Sequence, residues 1–230
     1  MNVLSYVFLT LFSISSAIEI IFAFLEKEKA RKIVKPLCLF FLAIFAMVTN
    51  FASPLIYLGA LFGMLGDVFM FRKKVRFYFV LGTIAFLAGH ICYISEILFV
   101  ILKGAQLDMV FFVISIVSII GVSLFLTPIS YKVCKNKQLA LLGSFYLTIL
   151  MSVTGFAIFA ACQGSSSYML LTIVGGMVFL SSDLVLIFAT FIKDFKRRDF
   201  YVMSLYLSGQ ALIVLGLVLT SLSIGVTLWK

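Results

Sequence analysis

The sequence predicts an all-α membrane protein in which eight transmembrane helices form one bundle. The 230 residues are 63% hydrophobic and only 12% charged, whereas roughly 25% of the residues in a soluble domain are charged. A helix that crosses a bilayer needs about 20 mostly apolar residues. Such runs follow one another along the whole chain, whose mean hydropathy is +1.23, and short basic segments separate them.

Charge clusters and turn signals divide the chain into eight predicted spans. The first has no basic leader and no small-residue cleavage signal, so we interpret it as a retained helix rather than a signal peptide. A tight turn around Ser53 and Pro54 joins the second span to the third, and the polar segment 163–167 joins the sixth to the seventh. The predicted spans are 3–25, 36–52, 54–71, 77–101, 109–127, 138–162, 168–192 and 200–228.

The basic residues predict how the helices are oriented. Sixteen of the eighteen Lys and Arg residues fall in four alternate connections, and the other two are Lys103 and Lys230. Cytoplasmic loops of membrane proteins are enriched in Lys and Arg, so we expect those four connections in the cytoplasm and both termini on the non-cytoplasmic side. The four basic connections are 26–35, 72–76, 128–137 and 193–199.

Composition excludes several other classes of protein. The spans leave no room for a soluble domain, so we predict one membrane domain over residues 1–230. The formal net charge of +9 would suit a nucleic acid, but the cations lie in short membrane-flanking loops, and we expect no nucleic-acid partner. The four cysteines, Cys134 among them, have no C-x-x-C spacing.

The two aspartates within the spans suggest an internal repeat. A spacing of 116 residues between Asp67 and Asp183 hints at a repeat of two four-helix halves.

Ionisable residues within the spans are the candidate functional residues, because such residues usually face the bundle interior or a water-filled cavity. At 1.5 Å per residue, Asp67 is about 6 Å and Asp183 about 14 Å from the cytoplasmic ends of their spans. Tyr206 and Gln210 share one helix face as an i, i+4 pair, and His90 lies deeper. We expect these side chains to converge on one wet pocket that opens to the cytoplasmic leaflet.

Each candidate also has a structural interpretation that the sequence leaves open. Asp67 would pair with a basic residue of the adjoining loop, Asp183 would form a structural hydrogen bond, and His90 would be a core histidine. Glu19 either pairs with a loop lysine or belongs to the site, and Glu96 would lie near the outer interface. The candidate partners would be Arg72 or Lys73 for Asp67, Lys27 or Lys29 for Glu19, and Ser181, Ser182 or a neighbouring helix for Asp183.

Two carboxyl groups in one pocket suit acid/base chemistry. One would be protonated and the other ionised, as general acid and general base catalysis require, although the same arrangement suits a proton-coupled transporter. The single histidine excludes a zinc site built from three histidines. The sequence contains no G-x-S-x-G motif for a serine nucleophile. Asp67, Asp183 and His90 could bind a metal, but nothing in their spacing requires one, so we expect carboxylate chemistry with no metal and no cofactor.

Six short motifs follow one another along the second to eighth spans. They are Lys35-Pro36-Leu37, Gly66-Asp67, His90-Ile91-Cys92-Tyr93, Tyr146 with Met151, Ser182-Asp183, and Tyr206-Leu207-Ser208-Gly209-Gln210. In order and spacing this series resembles the YhhN family of membrane proteins, which includes lysoplasmalogenases. The resemblance runs from Lys35 to about Leu215. It departs from the family pattern at Gly63, where serine is common, and at Gly209, where alanine usually precedes the glutamine.

The resemblance implies hydrolysis of the vinyl ether bond of lysoplasmalogens to a fatty aldehyde and glycerophosphoethanolamine or glycerophosphocholine. Cleavage would begin with protonation of the alkenyl β-carbon, which produces an oxocarbenium ion. A nearby carboxylate would stabilise that cation, water would add, and the hemiacetal would collapse. Glycosidases meet a similar cation with two carboxyl groups.

We predict Asp67 and Asp183 as the catalytic acid/base pair, without assigning which of them is the acid. Lys35, at the cytoplasmic end of the second span, would hold the lipid phosphate as a point charge. The expected partners are the lysophospholipid substrate and membrane lipid. The other predicted substrate-binding residues are His90, Tyr146, Ser182, Tyr206 and Gln210.

Two other kinds of protein remain as alternatives. A small-molecule or proton-coupled transporter would be favoured by discontinuous helices with Gly or Pro breaks at matching places in two halves, and here the matching breaks are glycines only. A lipid-binding or sensing protein without turnover is the second. The membrane would be the inner or plasma membrane of a bacterium, or the endoplasmic reticulum of a eukaryote.

Overall fold

The part of the chain that the structure describes folds into eight α-helices. The computed structural model describes residues 2–49, 53–72, 75–104, 109–133 and 137–225, and within them it contains no strand. Seven helices are long and apolar enough to cross a membrane, and the third is a shorter apolar helix of 17 residues. The helices are α1 (Val3–Phe24), α2 (Glu28–Thr49), α3 (Pro54–Met70), α4 (Arg76–Gly104), α5 (Met109–Val133), α6 (Lys137–Cys162), α7 (Met169–Phe191) and α8 (Arg198–Ile224).

All eight predicted spans are found as helices, and most predicted boundaries differ by at most four residues. Two are wrong by six residues or more, and both involve proline. α2 begins at Glu28 instead of Pro36, so most of the first basic connection is helical. α5 continues through Pro128 to Val133. Ala, Lys, Arg and Glu favour helix, so a cluster of charges marks the membrane surface rather than the end of a helix.

The orientation of the helices relative to the cytoplasm stays a prediction, because the structure contains the protein without a membrane. Some of the residues on which it depends lie outside the described ranges. These are Lys73, Lys74, Lys135 and Lys230, and Cys134 lies outside them as well.

The bundle is organised around α8, which packs against α1, α2, α3, α4 and α7. Glycines bring the neighbouring helices close: a Cβ at Gly209 of α8 would lie 2.8 Å from the backbone nitrogen of Phe179 in α7. A Cβ at Gly89 of α4 would lie 2.8 Å from the carbonyl oxygen of Gly59 in α3. α5 is the least buried long helix and packs mainly on α6. The polar side chains of the interior therefore gather around one face of α8.

Candidate active site

Asp67, near the end of α3, is fully buried and contacts two other helices. The ammonium nitrogen of Lys35 in α2 lies 2.9 Å from Asp67 Oδ1. The hydroxyl of Tyr206 in α8 donates to Asp67 Oδ2 at 3.0 Å. Lys35 Nζ also lies 5.5 Å from the centroid of the Tyr206 ring. Asp67 is thus an interior acid with a cation from another helix, and the interpretation as a loop-proximal acid is wrong.

Two glycines of α3 allow this convergence. A Cβ at Gly63 would lie 2.8 Å from Leu39 Cδ1 and 3.9 Å from both Tyr206 Oη and Gln210 Nε2. A Cβ at Gly66 would lie 2.8 to 2.9 Å from three atoms of the Phe86 ring. Small residues permit close helix approach in membranes. Here they bring α2, α4 and α8 against the helix that carries Asp67.

Asp183, in α7, is 8% exposed and has a different set of contacts. The hydroxyl of Tyr146 in α6 donates to Asp183 Oδ2 at 2.6 Å. The neighbouring Ser182 donates its hydroxyl to the carbonyl oxygen of Val202 at 3.0 Å, which links α7 to α8. Lys35 interacts electrostatically with Asp183 as well as with Asp67.

Aromatic rings connect the surroundings of the two acids. The His90 ring meets Tyr146, the partner of Asp183, edge-on at a centroid distance of 6.0 Å. On its other side His90 meets Phe179 at 4.9 Å, and Phe179 lies 5.3 Å from Tyr206, the partner of Asp67. The two acids therefore belong to one continuous cluster of side chains rather than to opposite surfaces of the bundle.

His90 has one nitrogen without a protein partner. His90 Nδ1 lies 2.7 Å from the carbonyl oxygen of Phe86. Because a carbonyl oxygen only accepts, Nδ1 carries the hydrogen and Nε2 is the accepting nitrogen. Nε2 is buried and has no hydrogen-bond partner within the described residues. Nearby, Gln210 Oε1 accepts a hydrogen bond from the Tyr93 hydroxyl at 3.0 Å.

The sequence profile of the YhhN family matches residues 30–217. The chain belongs to the YhhN family. The match covers all eight predicted site residues, from Lys35 to Gln210, and leaves α1 outside. No curated protein and no solved structure matches the chain. Membership of this family, which includes lysoplasmalogenases, fits a membrane-embedded hydrolase in general terms.

Arg31 and Glu19 form an ion pair beside the cluster that the sequence did not predict. Arg31 Nε lies 2.9 Å from Glu19 Oε1, and another guanidinium nitrogen pairs with Asp199 of α8. Arg31 and Lys35 lie four residues apart in α2, so each cation meets an acid of another helix. The prediction missed Arg31 because it placed residues 26–35 in a loop, where helical spacing has no meaning. Glu19 accordingly pairs with α2 rather than with a loop lysine.

Glu96 lies apart from the cluster of Asp67 and Asp183. Its two carboxyl oxygens accept hydrogen bonds from the hydroxyls of Ser53 and Ser221, the latter at 2.6 Å. Glu96 is fully buried and its partner Ser53 directly precedes α3, so Glu96 lies inside the bundle toward the end that the predicted orientation places on the outer side. At 1.5 Å per residue it is about 9 Å farther along α4 than His90.

The expected wet pocket is closely packed. Asp67, His90, Tyr206 and Gln210 are each at most 4% exposed. A groove of about 430 Å³ lies between α5, α6 and α7, within the range of roughly 300–1,000 Å³ that is usual for small-molecule sites. Its lining is almost entirely apolar and includes Leu180, which precedes Asp183 by one turn of α7.

Proposed function

We propose that this YhhN-family protein is a lysoplasmalogenase, a hydrolase that cleaves the vinyl ether bond of lysoplasmalogens without a metal or cofactor. The observation that supports this best is a pair of buried acids with different partners in one cluster. Asp67 lies beside an ammonium group, whereas the carboxyl oxygen of Asp183 accepts from a tyrosine hydroxyl. Acid/base chemistry needs two such groups in different protonation states.

The partners of the two acids support a division of roles. A buried carboxylate needs a compensating cation, and Lys35 supplies one to Asp67. Asp183 has a neutral hydroxyl at hydrogen-bond distance and is the better candidate for the carboxylic acid. We therefore assign Asp183 as the proton donor and Asp67 as the carboxylate that stabilises the cation.

The reaction then runs in three steps. Asp183 transfers its proton to the alkenyl β-carbon, and the resulting oxocarbenium ion lies beside the Asp67 carboxylate. Water adds to the cationic carbon and gives a proton to Asp183, which leaves a hemiacetal. Asp67 then takes the hemiacetal hydroxyl proton while Asp183 protonates the departing glycerol oxygen, and a proton returns from Asp67 to Asp183. One water is consumed, and the products are a fatty aldehyde and a glycerophosphodiester.

Other side chains of the cluster orient the reactants in this proposal. His90 Nε2, which lacks a partner within the described residues, accepts a hydrogen bond from the attacking water or the glycerol hydroxyl. Tyr146 holds Asp183, and Tyr206 holds Asp67. Ser182 fixes the backbone position next to Asp183 through its bond to α8. Lys35 compensates the Asp67 charge and offers its remaining N–H donors to the lipid phosphate.

The apolar groove beside Asp183 is the proposed place for the alkenyl chain. It opens between α5, α6 and α7 and is lined almost entirely by apolar side chains. The orientation belongs to the same proposal, with the acids in the cytoplasmic half of the bilayer. A cysteine placed in segment 163–167 should react with an impermeant thiol reagent from outside the cell, and labelling from the inside alone would reverse the orientation.

The test is aldehyde release by the purified protein from a 1-alkenyl lysophospholipid. A saturated 1-alkyl lysophospholipid is the control, because it has no double bond to protonate and should yield no aldehyde. Release from both lipids, or from neither, would contradict the proposed reaction. Accumulation of a solute in vesicles without aldehyde would favour the transporter instead.

A further inference from the structure

Two polar side chains of α1, Ser16 and Glu19, face α2, and each has an oxygen atom without a hydrogen bond in the described chain. Glu19 is fully buried and Ser16 is 8% exposed. Neither Glu19 Oε2 nor Ser16 Oγ has a hydrogen-bond partner in the described residues. The two residues lie three positions apart, so they share a face of the helix.

Glu19 is only half satisfied by its ion pair. Arg31 occupies Oε1 at 2.9 Å, and the second guanidinium contact of Arg31 goes to Asp199 rather than to Glu19 Oε2. Buried carboxylate oxygens are normally hydrogen-bonded, and leaving one without a donor is unfavourable. The arrangement is therefore complete only when a group with N–H or O–H donors binds at Oε2 and Ser16.

This position adjoins the proposed active site. Arg31 and Lys35 stand on successive turns of α2, and Lys35 contacts Asp67. Glu19 interacts electrostatically with both Lys35 and Asp67. Glu19 lies five residues from the last residue of α1, Phe24, near the end that the predicted orientation places toward the cytoplasm. A lysoplasmalogen with its vinyl ether at the two acids would extend its headgroup toward this end of the bundle.

We propose that Glu19 and Ser16 bind the primary ammonium of an ethanolamine headgroup, so that the protein prefers ethanolamine to choline lysoplasmalogens. This inference rests on the proposed function. An ethanolamine ammonium has three N–H donors, whereas a trimethylammonium has none and is usually bound by aromatic faces. Within the described residues, Glu19 accepts a hydrogen bond from the guanidinium group of Arg31. α1 lies outside the matched residues 30–217, so the family match by itself does not carry this preference.

Binding of saturated 1-alkyl lysophospholipids tests the inference without requiring turnover. The wild-type protein in detergent should bind the ethanolamine lipid about tenfold more tightly than the choline lipid, the factor expected for a charge-assisted hydrogen bond. Glu19→Gln keeps the side-chain shape and an oxygen for Arg31 but places an N–H2 group where Oε2 was. In that variant the two lipids should bind within about twofold of each other.

Two further variants guard against a misfolded protein or a general effect. Ser16→Ala removes a hydroxyl whose described neighbour is the Cys38 thiol of α2, a weak hydrogen-bonding group, so the variant should fold normally and lower the preference about threefold. Glu96→Gln changes a buried acid in a separate cluster, which it forms with Ser53 and Ser221, and should leave the preference unchanged. Equal affinity of the wild-type protein for both lipids, or an intact preference in Glu19→Gln, would overturn the inference and indicate that solvent satisfies Glu19.

The two proposals fail separately. A headgroup preference that Glu19→Gln abolishes, without aldehyde release from alkenyl lipids, would contradict the proposed hydrolysis and support the headgroup site. Equal rates of aldehyde release from both headgroups, with equal binding, would support the hydrolysis and contradict the headgroup site.

Discussion

Two fully buried acids, Asp67 and Glu96, lie in the same bundle but in different surroundings. Glu96 receives hydroxyl hydrogen bonds on both oxygens, from Ser53 and Ser221. Asp67 has a cation and a tyrosine as partners. Its cluster and the adjoining face of α1 contain two buried acceptors without hydrogen-bond partners in the described chain, His90 Nε2 and Glu19 Oε2. Burial alone therefore does not mark a functional acid. The distinction lies in the partners of the acid itself, which are hydroxyl groups for Glu96 and include a cation for Asp67.

A fully satisfied polar network rigidifies a fold, whereas a buried polar atom without a partner needs an explanation such as a catalytic role or a bound water. The Glu96 cluster joins α4 to α8 and to Ser53 at the start of α3, and we assign it a structural role. The cluster of Asp67 and Asp183 draws on α2, α3, α4, α6, α7 and α8 and contains acceptors that a substrate or water can satisfy. Four predictions test this comparison, from the largest expected effect to the smallest.

The largest effect is expected from the catalytic acids. Asp183→Asn, which can still accept from Tyr146, should lower the rate of aldehyde release by about 10³-fold, within the range for loss of a general acid or base. Asp67→Asn should have a similar effect. Because the two groups act as a unit, the double variant should be no slower than the slower single variant. Single variants that keep a tenth or more of the wild-type rate would contradict the paired-acid mechanism.

Much of this site could be predicted from the sequence. Hydropathy located all eight helices, and intramembrane polarity identified Asp67 and Asp183. The i, i+4 spacing placed Tyr206 and Gln210 on one face of α8, where the structure joins one to Asp67 and the other to Tyr93. These signals are local, since a helix fixes the face and depth of each side chain.

The partners of each acid could not be predicted, because they depend on contacts between helices. Lys35 was expected to bind the lipid phosphate at the membrane surface, but its ammonium group forms an ion pair with Asp67. Arg31 was hidden because the start of α2 was placed eight residues too late, at Pro36. Helical spacing can be applied only after the helix boundaries are known. Here the charged run that ends at Lys35, directly before Pro36, was interpreted as a loop, so the start of α2 at Glu28 was missed.

The second prediction concerns the cation that distinguishes Asp67 from Glu96. Lys35→Met should leave Asp67 buried without its counter-charge, which costs about 3–5 kcal/mol when a buried ion pair loses one partner. Aldehyde release should fall about 100-fold, within the range for general acid–base groups. Thermal unfolding in detergent measures the first effect. The double variant Lys35→Met/Asp67→Asn should recover stability without recovering activity, and a double variant as unstable as Lys35→Met would argue against the ion pair.

The third prediction concerns the close approach of α2 and α8 to α3. Gly63→Ala would place a methyl group 2.8 Å from Leu39 Cδ1, the flexible end of a side chain, so a small shift should relieve the contact. We expect a loss of about 1–3 kcal/mol in stability and about a fivefold loss in activity, since roughly 1 kcal/mol corresponds to that factor. Gly143→Ala, at a position with no atom within 4 Å, is the matched control and should change neither.

The smallest effect on catalysis is expected from changing Glu96, which forms a separate cluster with Ser53 and Ser221. Glu96→Leu leaves the hydroxyls of Ser53 and Ser221 without their acceptor, which should destabilise the fold by about 1–3 kcal/mol. The folded protein should release aldehyde at the wild-type rate. A rate loss as large as that of Asp183→Asn, measured on protein shown to be folded, would remove the distinction between the two clusters.

Solvent deuterium tests the central claim most directly, because protonation of carbon leaves a permanent label. In D2O, with the aldehyde trapped as it forms, mass spectrometry should find one deuterium at the carbon next to the aldehyde group. Asp183→Asn should give almost no product. An aldehyde without deuterium at that carbon would contradict proton transfer from a buried acid to the vinyl ether.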